Sequence, residues 1–168
     1  MTDLSLTILQ EAADDAVEIE RLYERTFGPG RHAKTAYRIR EGVAHELGLS
    51  FTARIGTLLV GSVRLSPILI GTTPALILGP LTVEPPFRDR GIGQALVERS
   101  LAEAKKQGHR LVVLVGDEPY YARTGFKRIP EGRASMPGPV DLNRLLVAEL
   151  VPGAFGGVSG RVRPNSKR

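Results

Sequence analysis

The pattern of apolar and polar positions divides the chain into two textures. Leu4 to Leu9 reads as a strand. Asp15-Ala16-Val17-Glu18 then has the form of a capping box, an acceptor side chain followed three residues later by a glutamate. Ile19, Leu22, Tyr23 and Phe27 follow at helical spacing, and Gly28-Pro29-Gly30 closes that helix. A second helical stretch, from Ala33 to Leu47, carries Tyr37, Ile39, Val43 and Leu47 and is weakened by Gly42. From Ser50 onward β-branched and aliphatic residues dominate. Phe51 to Arg54, Thr57 to Leu65, Ile68 to Ile70 and Ala75 to Val83 predict an antiparallel meander, punctuated by Gly56, Pro67, Gly71 and Thr73-Pro74.

Helical periodicity returns between Gly91 and Gln107, where Leu96, Val97, Leu101 and Ala104 form an apolar stripe. Lys105 and Lys106 suit the negative end of the helix dipole, and Gly108 is placed as its left-handed cap. Leu111 to Val115 is wholly apolar and predicts a strand buried on both faces. A short helix is expected from Pro119 to Thr124, closed by Gly125, with strands near Phe126 to Ile129 and Leu145 to Leu150. The order is strand, helices, meander, then strand-helix-strand, an α+β layered fold with one parallel crossover. Residues 1–152 are expected to form a single domain. Residues 153–168 are expected as a Gly-rich, basic, loosely packed C-terminal tail.

Composition narrows the chemistry. The chain has 168 residues and no cysteine, which excludes disulfides, zinc–thiolate sites and cysteine nucleophiles. His32, His45 and His109 have no metal-ligand spacing, so no metal is expected. No apolar run reaches the ~18 residues of a membrane span, and the first residues do not resemble a signal peptide, so a cytoplasmic protein with no membrane partner is expected. The net charge is +5. Part of it sits at Arg88 and Arg90, part at Arg161, Arg163, Lys167 and Arg168. Such a balance suits a nucleic acid, an anionic cofactor or a plain solvated surface. Nucleic acid is disfavoured, because no aromatic residues interleave with the basic ones. Gly157-Val158-Ser159-Gly160-Arg161 fails as a nucleophile elbow, since Arg161 stands where the last glycine belongs.

The sharpest local signal runs from Leu81 to Gly93. A strand ends at Leu81-Thr82-Val83, a turn follows through Arg88-Asp89-Arg90, and a helix opens on Gly91-Ile92-Gly93-Gln94. Free backbone N–H groups and the positive dipole end at a helix start bind anions, and glycines admit close approach. The competing reading is a glycine-rich helix start with no ligand. No Gly-Lys-Ser/Thr occurs, and a dinucleotide fingerprint would need glycine where Leu96 stands.

Arg88-x-x-Gly91-x-Gly93 after an apolar strand resembles the acyl-CoA loop of the GNAT superfamily of N-acetyltransferases. Tyr121-Ala122-Arg123-Thr124-Gly125-Phe126, behind the strand Leu111 to Val115, resembles the family's second mark, Tyr-x-x-x-Gly-Phe. Leu78-Gly79-Pro80-Leu81 and Gly116-Asp117-Glu118-Pro119-Tyr120-Tyr121 look like the YhbS-like branch. The resemblance covers residues 4 to 152. It implies the GNAT acyl-CoA N-acyltransferase fold, a mostly antiparallel mixed sheet of about six or seven strands flanked by helices.

The resemblance also implies acetyl-CoA as acyl donor and a small-molecule or peptide amine as acceptor, attacking the thioester directly. Leu81, Thr82 and Val83 would hold the pantetheine arm, with an N–H near Val83 polarising the acetyl carbonyl. Arg88, Asp89, Arg90, Gly91, Ile92, Gly93 and Gln94 would hold the pyrophosphate, and Tyr121 would protonate the departing thiolate. Tyr120 is the weaker candidate, because a neighbour on a helix points about 100° away. Glu84, Asp117, Glu118, Glu46, His45 or a water relay are the candidate bases. The resemblance leaves a homodimer open, and also a non-catalytic acyl-CoA sensor of the same fold.

Overall fold

The computed structural model describes residues 5–27, Ile39 and 44–166. In chain order the elements are β1 (Leu6–Gln10), α1 (Ala16–Phe27), β2 (Phe51–Ile55), β3 (Leu58–Ile70), β4 (Thr73–Val83), α2 (Ile92–Lys106), β5 (Leu111–Val115), α3 (Glu118–Tyr121), β6 (Lys127–Arg128), β7 (Ala134–Ser135), β8 (Leu145–Glu149) and β9 (Gly160–Pro164). Strands are ordered β1-β2-β3-β4-β5-β8-β6, with β9 added to β3 and β7 to β9. The β4–β5 and β7–β9 pairs are parallel and the other pairs antiparallel. The sheet is thus mixed and mostly antiparallel, flanked by helices. Among the described residues it has nine strands, more than expected, because β7 and β9 lie in segments not read as strands.

Alternation along β5 explains its unbroken apolar run. Val112 and Leu114 join the core under α2, with Leu96, Val97, Leu101 and Ala104. Leu111 and Val113 join a second core with Ile68, Ile77, Val147 and Phe155. Ile19, Leu22 and Tyr23 of α1 pack on Leu59 in a separate cluster.

Several expectations are corrected. The two strand pieces flanking Pro67 are one strand, β3. The Pro67 carbonyl accepts from the Asn165 N–H, so its imide faces β9 and no ladder bond to β4 is lost. Asp15 does not cap forward with Glu18. Its carboxylate accepts from the Ala12 N–H, while Arg54 reaches both Asp15 and Glu18. Of the stretch from Ala33 to Leu47, only Ile39 and residues 44–47 are described. Ile39 is helical and buried, residues 44–46 are not helical, and Leu47–Leu49 is a 3-10 turn. Tyr37, Val43, His32 and Gly28-Pro29-Gly30 lie outside the described residues.

The C-terminal segment is not loosely packed. Ala154, Phe155, Val158 and Val162 are buried. The Arg133 guanidinium lies 4.6 Å over the Phe155 ring and donates to the carbonyls of Phe155 and Val158. Gly160 comes so close to Gly71 that a β-carbon there would collide with backbone, which lets β9 seal the end of β3. The apolar residues are spaced by glycine turns, and no periodicity reveals them.

Pairing between β4 and β5 positions the site. It covers Leu76–Val112 and Ile77–Val113 only. Just beyond, Gly79 and Pro80 stand together opposite Arg64, a bulge in the β3–β4 ladder. A bulge bends its strand. The rest of β4, Leu81 to Val83, stays paired with β3 and leaves β5, which opens the sheet.

Candidate active site

The opening between β4 and β5 leads into a cleft of about 700 Å³ bounded by the end of β4, the first turn of α2, the end of α1 and α3. The Glu84 N–H donates to the Val60 carbonyl, so Glu84 and Val60 form a hydrogen-bonded antiparallel pair. Such pairs alternate along the ladder. Thr82 therefore turns its N–H and C=O toward β3, while Leu81 and Val83 turn theirs toward the opening. In agreement, the Val83 carbonyl accepts from Arg88 Nε at 3.2 Å rather than from β3. The chain thus presents the Leu81 N–H and C=O and the Val83 N–H, spaced as an unfinished strand edge.

The turn after β4 leads into α2 through two left-handed residues, Asp89 (φ 62°) and Gly91 (φ 82°). Gly91 is the N-cap and no side chain caps it. A helix start leaves about four N–H groups without intrahelical partners, here those of Gly91 to Gln94. These residues stand at the cleft, which Arg88, Asp89, Gly91, Ile92, Gly93 and Gln94 all line. Arg90 does not line it and lies 5.6 Å over the Phe87 ring. Gln94 contributes its backbone to the helix start, and its side chain donates to the Tyr120 carbonyl at 2.8 Å, bolting α2 to α3.

The two neighbouring tyrosines separate. Tyr120 lines the cleft and is 37% exposed. Tyr121 is not among the lining residues. It packs against the α2 core, with its ring on Gly116 at the end of β5 and 5.8 Å from the Phe126 ring. The two phenols meet edge to face, centroids 4.9 Å apart. Burial pushes the Tyr121 phenol far above its ordinary range, and the neighbouring Tyr120 and Asp117 add to this. Burial also raises Tyr120, with Arg123 opposing.

Sequence reasoning missed the contributions of Thr26, Phe27, Phe87, Pro119 and Arg123 to the cleft wall. Those of Pro119 and Arg123 were legible in principle, since they flank the tyrosine pair. Thr26 and Phe27 reach the cleft because Arg25 clamps Glu84 through both carboxylate oxygens, at 2.7 and 3.2 Å. Glu84 is thereby engaged as a partner. Asp117 pairs with Arg144, and Glu118 accepts from the Arg128 N–H. His45 contacts the buried Glu11, which also holds Arg64. Burial lowers His109, with Glu46 opposing. Among the described residues no group of three or more His, Asp or Glu is placed to hold a metal, and no helix is long and apolar enough to cross a membrane.

The cleft thus joins a strand edge freed beyond a bulge to an uncapped helix start. The model of the Acetyltransferase (GNAT) family matches residues 16–126, and the chain belongs to that family. The chain is 30% identical over 159 residues to a relative named uncharacterized N-acetyltransferase YhbS from Escherichia coli K12, covering 94% of this chain and 95% of the relative. Its fold matches that of Escherichia coli YhbS in complex with CoA, with TM-score 0.81, 27% identity and coverage of 98% and 92% of the two chains. It also matches a GNAT family acetyltransferase from Brucella melitensis in complex with acetyl-CoA, with TM-score 0.62, 28% identity and coverage of 87% and 96%.

Proposed function

We propose that the protein is an acetyl-CoA-dependent N-acetyltransferase that moves the acetyl group directly to a primary amine, with Tyr121 as general acid. The observation that carries this reading is the unfinished edge of Leu81 and Val83 facing the uncapped start of α2. The amide-bearing pantetheine arm completes that edge as an added strand. The pyrophosphate meets the N–H groups of Gly91 to Gln94, where a helix start favours negative charge. The thioester carbonyl then lies against the Val83 N–H, which stabilises the oxyanion as it develops.

The amine nitrogen bonds to the acyl carbon, the C–S bond breaks, and the sulfur takes the Tyr121 proton. The proton lost by the amine passes to solvent, and solvent returns a proton to Tyr121 before the next turnover. Tyr121 suits the acid role in two respects. Its ring lies on Gly116, at the β5 side of the opening. Burial raises its phenol, so it carries its proton at neutral pH. The acceptor approaches past Thr26 and Phe27 at the end of α1.

Calorimetric titration with CoA, acetyl-CoA, NAD and ATP tests the donor assignment. CoA and acetyl-CoA are expected to bind and raise the melting temperature. Binding of NAD or ATP in their place would overturn it.

A further inference from the structure

We propose that Tyr120 binds the acyl donor: its hydroxyl donates a hydrogen bond to a pyrophosphate oxygen of CoA above the first turn of α2, and Arg123 supplies the positive charge on the same wall. The inference rests on the reading that the cleft holds acyl-CoA.

Four observations converge. First, the Tyr120 hydroxyl occupies the space that a β-carbon at Gly93 would fill, so it lies against the first turn of α2, which lines the cleft. Second, it has no hydrogen-bond partner among the described residues, and it stands 37% exposed in the cleft wall, open to a ligand. A phenol in such a place is usually satisfied by a ligand or by water. Third, its backbone is fixed. Gln94 holds the Tyr120 carbonyl, the Tyr120 N–H donates to the Asp117 carbonyl at 3.1 Å, and Tyr121 packs on the ring edge to face. Fourth, Arg123 stands three residues on, lines the same cleft, is exposed, and has no ion-pair partner among the described residues. Residues three apart on a helical turn share a face.

The geometry divides the donor between two adjacent phenols. Tyr121 packs on Gly116 at the end of β5, on the side where the thioester is expected, and Tyr120 lies against the helix start, where the phosphates are expected. Tyr120 thus adds a side-chain donor to a cradle otherwise built of backbone N–H groups.

The test is calorimetry with CoA and with pantetheine, which lacks the pyrophosphate, on the wild-type protein, Tyr120→Phe and Arg123→Gln. Tyr120→Phe is expected to raise the Kd for CoA about tenfold or more, the loss of a hydrogen bond to a charged group. Arg123→Gln is expected to raise it severalfold with a flatter salt dependence. Pantetheine affinity should be unchanged in both. In turnover the loss should fall on the KM for acetyl-CoA, with kcat moved less than about twofold. Equal CoA affinity in wild type and Tyr120→Phe overturns the inference and leaves the donor assignment standing. So does a collapse of kcat at unchanged Kd, which would make Tyr120 the acid. Failure of the wild-type protein to bind CoA overturns both. Arg123→Gln alters only an exposed side chain, so it keeps the phosphate wall testable if Tyr120→Phe folds poorly.

Discussion

The Tyr120 hydroxyl stands where Gly93 lacks a β-carbon. The two residues come from helices joined by Gln94, so the donor cleft is assembled by contact between α2 and α3. Gly93→Ala is therefore expected to displace Tyr120 and weaken CoA binding. Removing the hydroxyl relieves the collision, because the next ring atom would be 3.5 Å from the new methyl group. Adding Gly93→Ala to Tyr120→Phe should cost much less than adding it to the wild-type protein. A double-mutant cycle of CoA dissociation constants reads this coupling, and strict additivity would contradict it.

Tyr121→Phe is expected to lower kcat by ~10²–10⁴-fold and leave CoA affinity nearly unchanged, since the hydroxyl acts in the transition state. Single-turnover acetyl transfer beside equilibrium titration separates the two quantities. Equal small losses in kcat at both tyrosines would remove Tyr121 from the mechanism.

The raised Tyr121 pKa has a pH consequence. An ordinary phenol loses its proton near pH 10. A phenol held far above that stays protonated, so kcat should show no fall up to about pH 10. A basic limb that disappears in Tyr121→Phe would contradict the assignment.

Much of the site is legible in the sequence because its chemistry is local. Arg88 to Gln94 is a contiguous turn and helix start, and Tyr121 to Phe126 a contiguous helix and cap. Burial decides what stays illegible. The sequence ranks Tyr121 over Tyr120 by motif, and only the fold reveals that Tyr120 meets the cleft while Tyr121 enters the core. Arg90 reads as a phosphate ligand beside Arg88, but its guanidinium stacks on Phe87. The opening of the sheet rests on a two-against-one bulge at Gly79-Pro80, which no periodicity exposes.

Glu11 is buried at the end of β1 and bound by Arg64 and His45. Burial alone pushes its carboxyl up. The hydrogen bonds from His45 and Arg64 and their charges outweigh that and hold it below the ordinary carboxylate range. A depressed carboxyl stabilises the fold above its unfolded pKa, and that stability is lost as the pH falls through the folded pKa. Glu11→Ala leaves Arg64 without its buried partner and is expected to cost ~3–5 kcal/mol at neutral pH. Urea denaturation at pH 7 and below pH ~4 should show the variant's deficit shrinking at the lower pH. A constant deficit would contradict the pairing.

The packed C-terminal segment is a stability element. Truncation after Pro152 removes Phe155, Val158 and Val162 from the second core and uncovers β3 beside Ile68 and Ile70. Losing even one large buried side chain costs ~2–5 kcal/mol. The truncated chain is expected to lose cooperative thermal unfolding or to aggregate. An unchanged melting temperature would contradict this packing.

The central claim is transfer of acetyl from CoA to an amine in this cleft. A panel of primary amines with acetyl-CoA, followed by thiol release and by mass spectrometry of the amine, tests it most directly. Thiol release that requires one class of amine, matched by an acetylated product and lost in Tyr121→Phe, is the expected result. Acetyl-CoA binding with no amine-dependent thiol release across the panel would contradict it and point to a non-catalytic acyl-CoA sensor.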